Sequence, residues 1–329
     1  MIGVAVIGLG NALAPHAKSL LELKDQVQVV HAAATSRAHR KQAASLGWPF
    51  TDDPLAAIND KAVDAVLVLT PANAHLPIAE AAFAAGKHVL CEKPLEASVA
   101  RAEQLIDAGH RAKRKLGVML QMRFRGASRR LKQAVERGEL GEIQAATLAV
   151  PWWRPQSYYD EPGRGVKARD GGGVLMTQAI HALDLFRWFV GIHAIEAAQV
   201  RTTALHRMET EDYAAALVRL DNGAPGTIMA TVAAYPGSAE TIQIIGTKGT
   251  ATMQGGNLTL SFLNGRAVMI ADAGGSGSGA NVMGFSHEPH KAVLSDFLDA
   301  IEKDRAPAIP GEDALATQRV IEAIIQKGS

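Results

Sequence analysis

The sequence predicts an α/β protein in two parts: an N-terminal doubly wound parallel sheet, then an α+β domain with a large, mostly antiparallel, open-faced sheet. Three observations carry this. Short apolar runs alternate with alanine-rich stretches over the first third of the chain. A glycine turn follows the first apolar run directly, in "VAVIGLGNAL" (4–13). After about Arg123 the rhythm changes to longer strand-like runs, several divided by glycine turns such as "DNGAPG" and "GTKGT".

The apolar runs at 3–7, 27–33, 65–69, 88–91 and 118–121 are continuous rather than alternating, as in strands buried on both faces. Helix-favouring stretches at 16–23, 40–46, 77–85 and 98–115 separate them, which implies parallel βαβ units. A helix over 128–137 ends at "GELGE". Strands are then expected at 143–150, 194–205, 211–220, 227–234, 240–245 and 249–253, with helices at 174–190, 290–302 and 314–327. The stretch 274–279 reads as a flexible Gly/Ser loop. Residues 1–122 are thus expected to form a dinucleotide-binding domain and 123–329 a substrate-binding and oligomerisation domain, its last helix free to pack back on the first.

Composition narrows the function classes. The 329 residues are 47% hydrophobic with a net charge of +1, which gives no footprint for nucleic acid. The basic run Lys113, Arg114, Lys115 reads as a solvated helix face. No apolar run reaches the ~18 residues of a membrane span, and the N-terminus lacks the basic start of a signal peptide. The single cysteine, Cys91, permits no internal disulfide and fits a reducing compartment. A cytoplasmic protein is expected, with neither nucleic-acid nor membrane partners.

The glycines in the first turn have mechanical reasons. Gly8 permits a tight turn, and Gly10 lets a pyrophosphate approach the backbone at the positive start of a helix. Leu13 takes the third glycine position, so the fingerprint is incomplete, and a plain strand–helix turn is the rival reading. A NAD site ordinarily carries Asp or Glu at the end of the second strand. Here "AAATSRAHR" (32–40) offers Thr35, Ser36, Arg37 and Arg40 instead. Hydroxyls and a guanidinium suit a 2′-phosphate, so NADP is the expected cofactor and NAD the alternative. The plainer reading makes Ser36 a helix cap.

"LTPANAHLPIAEAAFAAGKHVLCEKPL" (69–95) resembles the signature of the glucose–fructose oxidoreductase / inositol dehydrogenase (Gfo/Idh/MocA) family. In that family one strand ends in T-P-x-x-x-H and the next in G-K-H-V-x-x-E-K-P. "GLGNALAPHAKSL", "GGGVLMTQAIHALDLFRWFVG" and "HKAVLSDFLDAI" extend the resemblance over essentially the whole chain. It implies a nicotinamide-dependent oxidoreductase acting on a sugar, cyclitol or related polyhydroxy or keto compound. It also implies a homodimer or homotetramer built through the open sheet face, which a mostly apolar, uncovered surface would require.

Site residues follow from the same resemblance. The cofactor site comprises Gly8, Leu9, Gly10, Asn11 and Ala12, the second-strand residues named above, then Thr70, Pro71, Asn73 and His75, and finally Glu92 and Lys93. Lys93 matches the family lysine beside nicotinamide and substrate oxygen. Pro94 restricts its backbone. His181 matches the histidine that exchanges the substrate proton. The carboxylate frequent four residues earlier is Thr177 here, one helical turn away, able to bond a sugar or the imidazole but not to supply charge. Gln178 helps shape the pocket, and Asp184 on the same face is a candidate to orient His181 or meet substrate, with a structural role as the equal rival reading. Hydride transfer from an alcohol needs a base and a cation, roles His181 and Lys93 can fill. Glu92 could counter a loss of basicity at Lys93, and a bare Glu92–Lys93 salt bridge is the rival reading.

Further candidates are weaker. In "PWWRPQSYYDEPGRG" (151–165), Trp153, Arg154 and Tyr158 could form a sugar-stacking, anion-binding wall. The tetrapeptide "HEPH" (287–290) places a proline between its histidines and shows no nearby ligand set, so no metal is expected. Cys91 is expected to be inert. Two other functions occur among proteins of this kind: glycoside hydrolysis with a transiently used cofactor, and dinucleotide-binding regulation without turnover.

Overall fold

Continuous apolar sequence buries the strands Ile2–Ile7, Ala65–Val68 and Leu116–Val118 along their length, whereas Val27–Ala33, interrupted by Gln28 and His31, is only partly buried. In the computed structural model, which describes residues 1–271 and 286–329, β1 (Ile2–Ile7) is buried at every position. The expected loop at 274–279 lies outside the described residues. Alternating with β1 come α1 (Leu13–Glu22), β2 (Val27–Ala33), α2 (Arg40–Ser45), β3 (Phe50–Thr51), α3 (Pro54–Asn59), β4 (Ala65–Val68), α4 (His75–Ala84), β5 (His88–Cys91), α5 (Val99–Ala112) and β6 (Leu116–Val118). The six strands form a parallel sheet in the order β3-β2-β1-β4-β5-β6. The order reverses between β1 and β4, where open α/β sheets bind ligands at their carboxyl edge.

The sixth strand ends at Val118, not at Gln121, because 121–124 wind into a 3₁₀ turn. β3 and α3 escape the sequence pattern because both are short. Asp53 starts α3 by accepting the N–H groups of Leu55 and Ala56, with Pro54 in the first turn, where its missing N–H costs nothing.

A second sheet uses strands buried on one face. Its elements are α6 (Gly126–Glu136), β7 (Ile143–Pro151), α7 (Gln156–Tyr159), α8 (Lys167–Asp170), α9 (Val174–Thr177), α10 (Ile180–Val190), β8 (Ala194–Arg201), β9 (Tyr213–Arg219), β10 (Pro225–Thr231), β11 (Thr241–Gly246), β12 (Gly249–Gln254), β13 (Asn257–Phe262) and β14 (Ala267–Ile270). The order is β14-β13-β12-β11-β7-β10-β9-β8, with only β7 and β10 parallel. Ala214, Ala216 and Val218 of β9 and Ala146, Leu148 and Val150 of β7 line its buried face.

The other face is mixed: one register row is apolar, Ala215, Met229 and Ala149, and a neighbouring row is largely polar. Register aligns Leu217, Thr227, Thr147, Gln243, Thr252, Thr259 and Met269 across seven strands. These residues are half-buried or exposed. The middle of the row is a threonine–glutamine stripe, flanked by one leucine and one methionine.

α11 (Glu288–Glu302) and α12 (Gly311–Gly328) complete the described elements. The chain divides into two compact units: Met1–Gln121 with His287–Ala316, and Met122–Ser286 with Thr317–Ser329. A boundary at 122/123 leaves 287–316 with the second part, whereas these residues group with the first. The reason is local. Gly117 of β6 bridges to Pro310, the Val118 N–H donates to the Ile309 carbonyl at 3.0 Å, and α11 packs on α1.

His88 opens β5 half-buried, its Nδ1 accepting the Lys115 N–H at 3.0 Å. Burial, then the charges of Arg114 and Lys115, hold its imidazole down to about 4 against an ordinary 6.5. The unfolded chain therefore takes up this proton near pH 6.5, and the folded chain only near 4. His88 contributes its stability fully above pH 6.5 and loses it as pH falls toward 4. Solvent screening of a half-exposed group reduces the effect to about 1 kcal/mol. Urea melts between pH 7 and 4.5 should show this slope, and His88→Asn, which keeps an acceptor, should flatten it.

Candidate active site

Because the first sheet is parallel, the turns after β1, β2, β4 and β5 all leave from its carboxyl edge. They carry nearly all the expected cofactor residues. After β1, Gly8 adopts φ +100°, and a Cβ there would stand 2.8 Å from the Leu69 carbonyl carbon and 2.9 Å from the Thr70 nitrogen. Gly8 thus lets the first turn press against the end of β4. A Cβ on Gly10 would meet nothing within 4 Å, so it would project into open space. Gly10 and Asn11 are exposed, Ala12 half-buried, and Leu9 is buried, leaving Leu9 only its backbone to offer. α1 begins with no side-chain cap and no acidic residue in its first turn, so its positive end stays available to an anion.

After β2, Thr35, Ser36 and Arg40 are exposed, and Arg37 begins a 3₁₀ turn. Ser36 Oγ accepts the Ala38 N–H at 3.4 Å, so it caps that turn rather than α2. The Arg40 guanidinium lies over the Phe50 ring at 5.5 Å. After β4, Pro71 and Asn73 are exposed, and the Thr70 hydroxyl is buried with no hydrogen-bond partner among the described residues. An open glycine, an uncapped helix start and an unpartnered hydroxyl on one sheet edge fit a dinucleotide.

Two expected cofactor contacts are corrected. His75 is wholly buried, its ring nitrogens at 3.1 Å from the Leu95 carbonyl and 2.8 Å from the Thr70 carbonyl. It is a strut between two loops and has no surface for a ligand. Glu92 is buried too, Oε1 at 2.6 Å from His16 Nε2, Oε2 accepting the Lys93 N–H at 3.0 Å. Burial pushes its carboxyl up, but the His16 hydrogen bond and the charges of His16, His290 and Lys93 outweigh that and hold it at about 2. Lys93 itself is half-buried where β5 ends, and the Lys93–Pro94 peptide is cis. Burial raises the Cys91 thiol well above its usual range, which keeps it protonated.

In the second unit, the expected single helix over 174–190 is two helices. Gln178 and Ala179 interrupt it, the Ala179 N–H reaching back to the Val174 carbonyl at 2.8 Å. Thr177 ends α9, and His181, 9% exposed, sits in the first turn of α10. They are not one turn apart on a continuous helix. The Thr177 hydroxyl donates to the Gly173 carbonyl at 2.7 Å and also contacts Gln178 Oε1. The hydroxyl is thus engaged within its own segment, on the Gly173 carbonyl and the Gln178 side chain.

Asp184 is reassigned. Its carboxylate takes both arms of Arg123 at 2.6 Å and the Thr317 hydroxyl at 2.8 Å, at 1% exposure. It is a structural anion, not a substrate contact. Of the expected aromatic wall, Trp153 and Tyr158 are half-buried and Arg154 is enclosed. Arg154 is 2% exposed, its guanidinium 5.3 Å from the Trp152 ring and bonded to the Trp153 carbonyl at 2.7 Å. Tyr158 is covered by the Arg164 guanidinium at 4.1 Å, and Trp153 packs against His206 and Tyr235.

Sequence reasoning missed Glu211. Its carboxylate accepts the N–H groups of Gly173 and Leu175 at 2.8 and 3.1 Å and so caps α9. A Cβ on Gly173 would stand 1.8 Å from the Glu211 carbonyl oxygen, which explains a glycine there. Burial raises the Glu211 carboxyl, and these backbone donors oppose that. A local signal for it is absent, because 36 residues or more separate it from the groups it caps. His290 was set aside, yet His16, Glu92 and His290 bring their ligand-type atoms within 4.8 Å of one another. Pro289 lies in the first turn of α11 and does not disturb it, and His287 pairs instead with Glu22 at 2.8 Å.

A reversed strand order with a glycine turn and an uncapped helix at its carboxyl edge defines a dinucleotide-binding fold. Residues 2–120 match the family described as "Oxidoreductase family, NAD-binding Rossmann fold", and residues 128–252 match the "GFO/IDH/MocA C-terminal domain". The chain belongs to the Gfo/Idh/MocA family. It is 27% identical to myo-inositol 2-dehydrogenase of Thermotoga maritima, over 94% of this chain and 91% of that protein. It is 25% identical to inositol 2-dehydrogenase of Rhizobium meliloti, over 98% and 95%. Among solved structures it resembles the WlbA dehydrogenase of Bordetella pertussis in complex with NADH and UDP-GlcNAcA, at TM-score 0.86 and 27% identity over 99% and 96% of the chains. Among the described residues, no helix is long and apolar enough to cross a membrane.

Proposed function

We propose that this protein moves a hydride between a nicotinamide dinucleotide and a sugar, cyclitol or related polyhydroxy compound, with NADP(H) preferred. The observation that carries the reading is the convergence of the Gly8–Ala12 turn, the Thr70 loop and Lys93 on one carboxyl edge of the parallel sheet. Two of the relatives named above are inositol 2-dehydrogenases and the third was solved in complex with UDP-GlcNAcA, which supports the substrate class. When bound, the dinucleotide supplies the hydride acceptor or donor. The α1 N-terminus and the Gly10 backbone hold its pyrophosphate, and the Thr70 hydroxyl gains a partner. Lys93 stabilises the charge on the substrate oxygen, and His181 takes or returns its proton.

NADP preference rests on the end of β2, where Thr35, Ser36, Arg37 and Arg40 stand with no carboxylate from 32 to 40. A 2′-phosphate meets donors there and no repulsion. A panel of inositols, sugars and sugar acids should be incubated with NAD⁺ and NADP⁺ and followed by nicotinamide absorbance. The expected result is cofactor reduction with at least one polyol and a higher kcat/KM for NADP⁺. A higher value for NAD⁺ overturns the preference. Product without net cofactor change would replace dehydrogenation by hydrolysis.

The open face of the second sheet, uncovered among the described residues, supports self-association into a dimer or tetramer, face to face. Sedimentation should then show a species larger than the monomer.

A further inference from the structure

We propose that His16 and His290 are positioning residues for Lys93, acting through Glu92; this rests on the reading of Lys93 given above. The β5 ladder stops just before the lysine, with the Glu92 N–H donating to the Val68 carbonyl at 2.9 Å. Beyond that point the Lys93 N–H is held by the Glu92 side chain, at 3.0 Å. The direction in which the lysine leaves the strand therefore depends on where that carboxylate stands.

Its place is set from two helices. His16, 1% exposed on α1, binds the other carboxylate oxygen at 2.6 Å, a charge-assisted distance. His290, 3% exposed on α11, sets its ring edge-on to His16, centroids 5.4 Å apart and planes at 85°. That contact fixes the plane of the first imidazole. A buried carboxylate with its two oxygens divided between a histidine and a backbone N–H cannot rotate without losing both bonds. Burial favours its neutral form, yet His16, His290 and Lys93 keep it charged, and only the charged form accepts at both oxygens. The result is a pedestal of helix, carboxylate and strand end beneath the lysine.

A metal ion is the rival occupant of the same three residues. Two ligands about 2.0–2.1 Å from a tetrahedral ion lie about 3.3 Å apart. The observed 2.6 Å between His16 and Glu92 is the separation of a shared proton.

The test uses the full chain with His16→Ala, His16→Gln, His290→Ala and Lys93→Met. Turnover with the best polyol, NAD(P)H binding by fluorescence, circular dichroism and metal content by mass spectrometry are measured on each. His16→Ala should lower kcat roughly 10- to 100-fold with cofactor Kd within about 3-fold. His16→Gln keeps an N–H donor and should recover most of that loss, and His290→Ala should fall between parent and His16→Ala. Unchanged kcat in His16→Ala, in a protein that Lys93→Met inactivates, overturns the proposal. So does equal loss in the alanine and glutamine variants, or stoichiometric metal that His16→Ala removes. Full turnover by Lys93→Met would instead refute the role of Lys93 itself.

Discussion

Lys93→Met is expected to lower kcat by about 10²- to 10⁴-fold while nicotinamide-cofactor affinity changes only a few-fold. Methionine keeps the length and apolar bulk of the lysine stem, so the half-buried side chain should still pack. What disappears is the cation at the end of β5. In the proposed reaction that cation faces oxygen as it gains negative charge, so its contribution is larger in the transition state than in the ground state. The loss should appear in kcat more than in the KM of the polyol. Cofactor binding rests on the Gly8–Ala12 turn and the Thr70 loop, which the substitution does not touch. Stopped-flow turnover alongside fluorescence titration of NAD(P)H separates the two. Unchanged turnover would remove Lys93 from the mechanism.

Asp184→Ala is expected to destabilise the protein by about 3–5 kcal/mol. The substitution strands the Arg123 guanidinium at 4% exposure, without the carboxylate that takes both its arms. It also deprives the Thr317 hydroxyl of its acceptor, and Arg187, 3.8 Å from the same carboxylate, of its charge. The pair links the 3₁₀ turn at 121–124 to α10, the helix that carries His181. Chemical denaturation should show the loss as a lowered midpoint. The double variant Arg123→Met/Asp184→Ala should be more stable than Asp184→Ala alone, because it no longer buries the guanidinium without that carboxylate. A double variant no better than the single would refute this account.

The parallel sheet was legible because β1 and β4 are apolar without interruption, a pattern set by burial on both faces, although Gln28 and His31 interrupt β2. Lys93 and the glycine turn were legible because strand ends and turns are local features. What sequence could not show depends on distance. Glu211 caps α9 from the segment just before β9, and Asp184 meets Arg123 from another element. Neither pairing leaves a mark on its neighbours in sequence. The break between Thr177 and His181 was hidden for a different reason. "VLMTQAIHALDLF" has helical periodicity throughout, and only the bond from Ala179 to Val174 reveals the wider turn. β13 and β14 were passed over because alternation in such short segments stands out little. The charged candidates near the second sheet share one environment that sequence does not reveal. Arg154 and Asp184 carry charge, yet both are buried in packed structure.

The grouping of His287–Ala316 with the first unit has a consequence for synthesis on the ribosome. Domains commonly complete themselves in the order in which they emerge. Here β6 meets Pro310 and α1 is covered by α11, so the nucleotide-binding unit waits on a segment translated after the whole second sheet. A nascent chain stalled at Gln121 would hold the parallel strands but expose the α1 flank beside His16. An expression fragment cut at that residue would carry the same open flank, and a cleaner excision would splice 1–121 to 287–316.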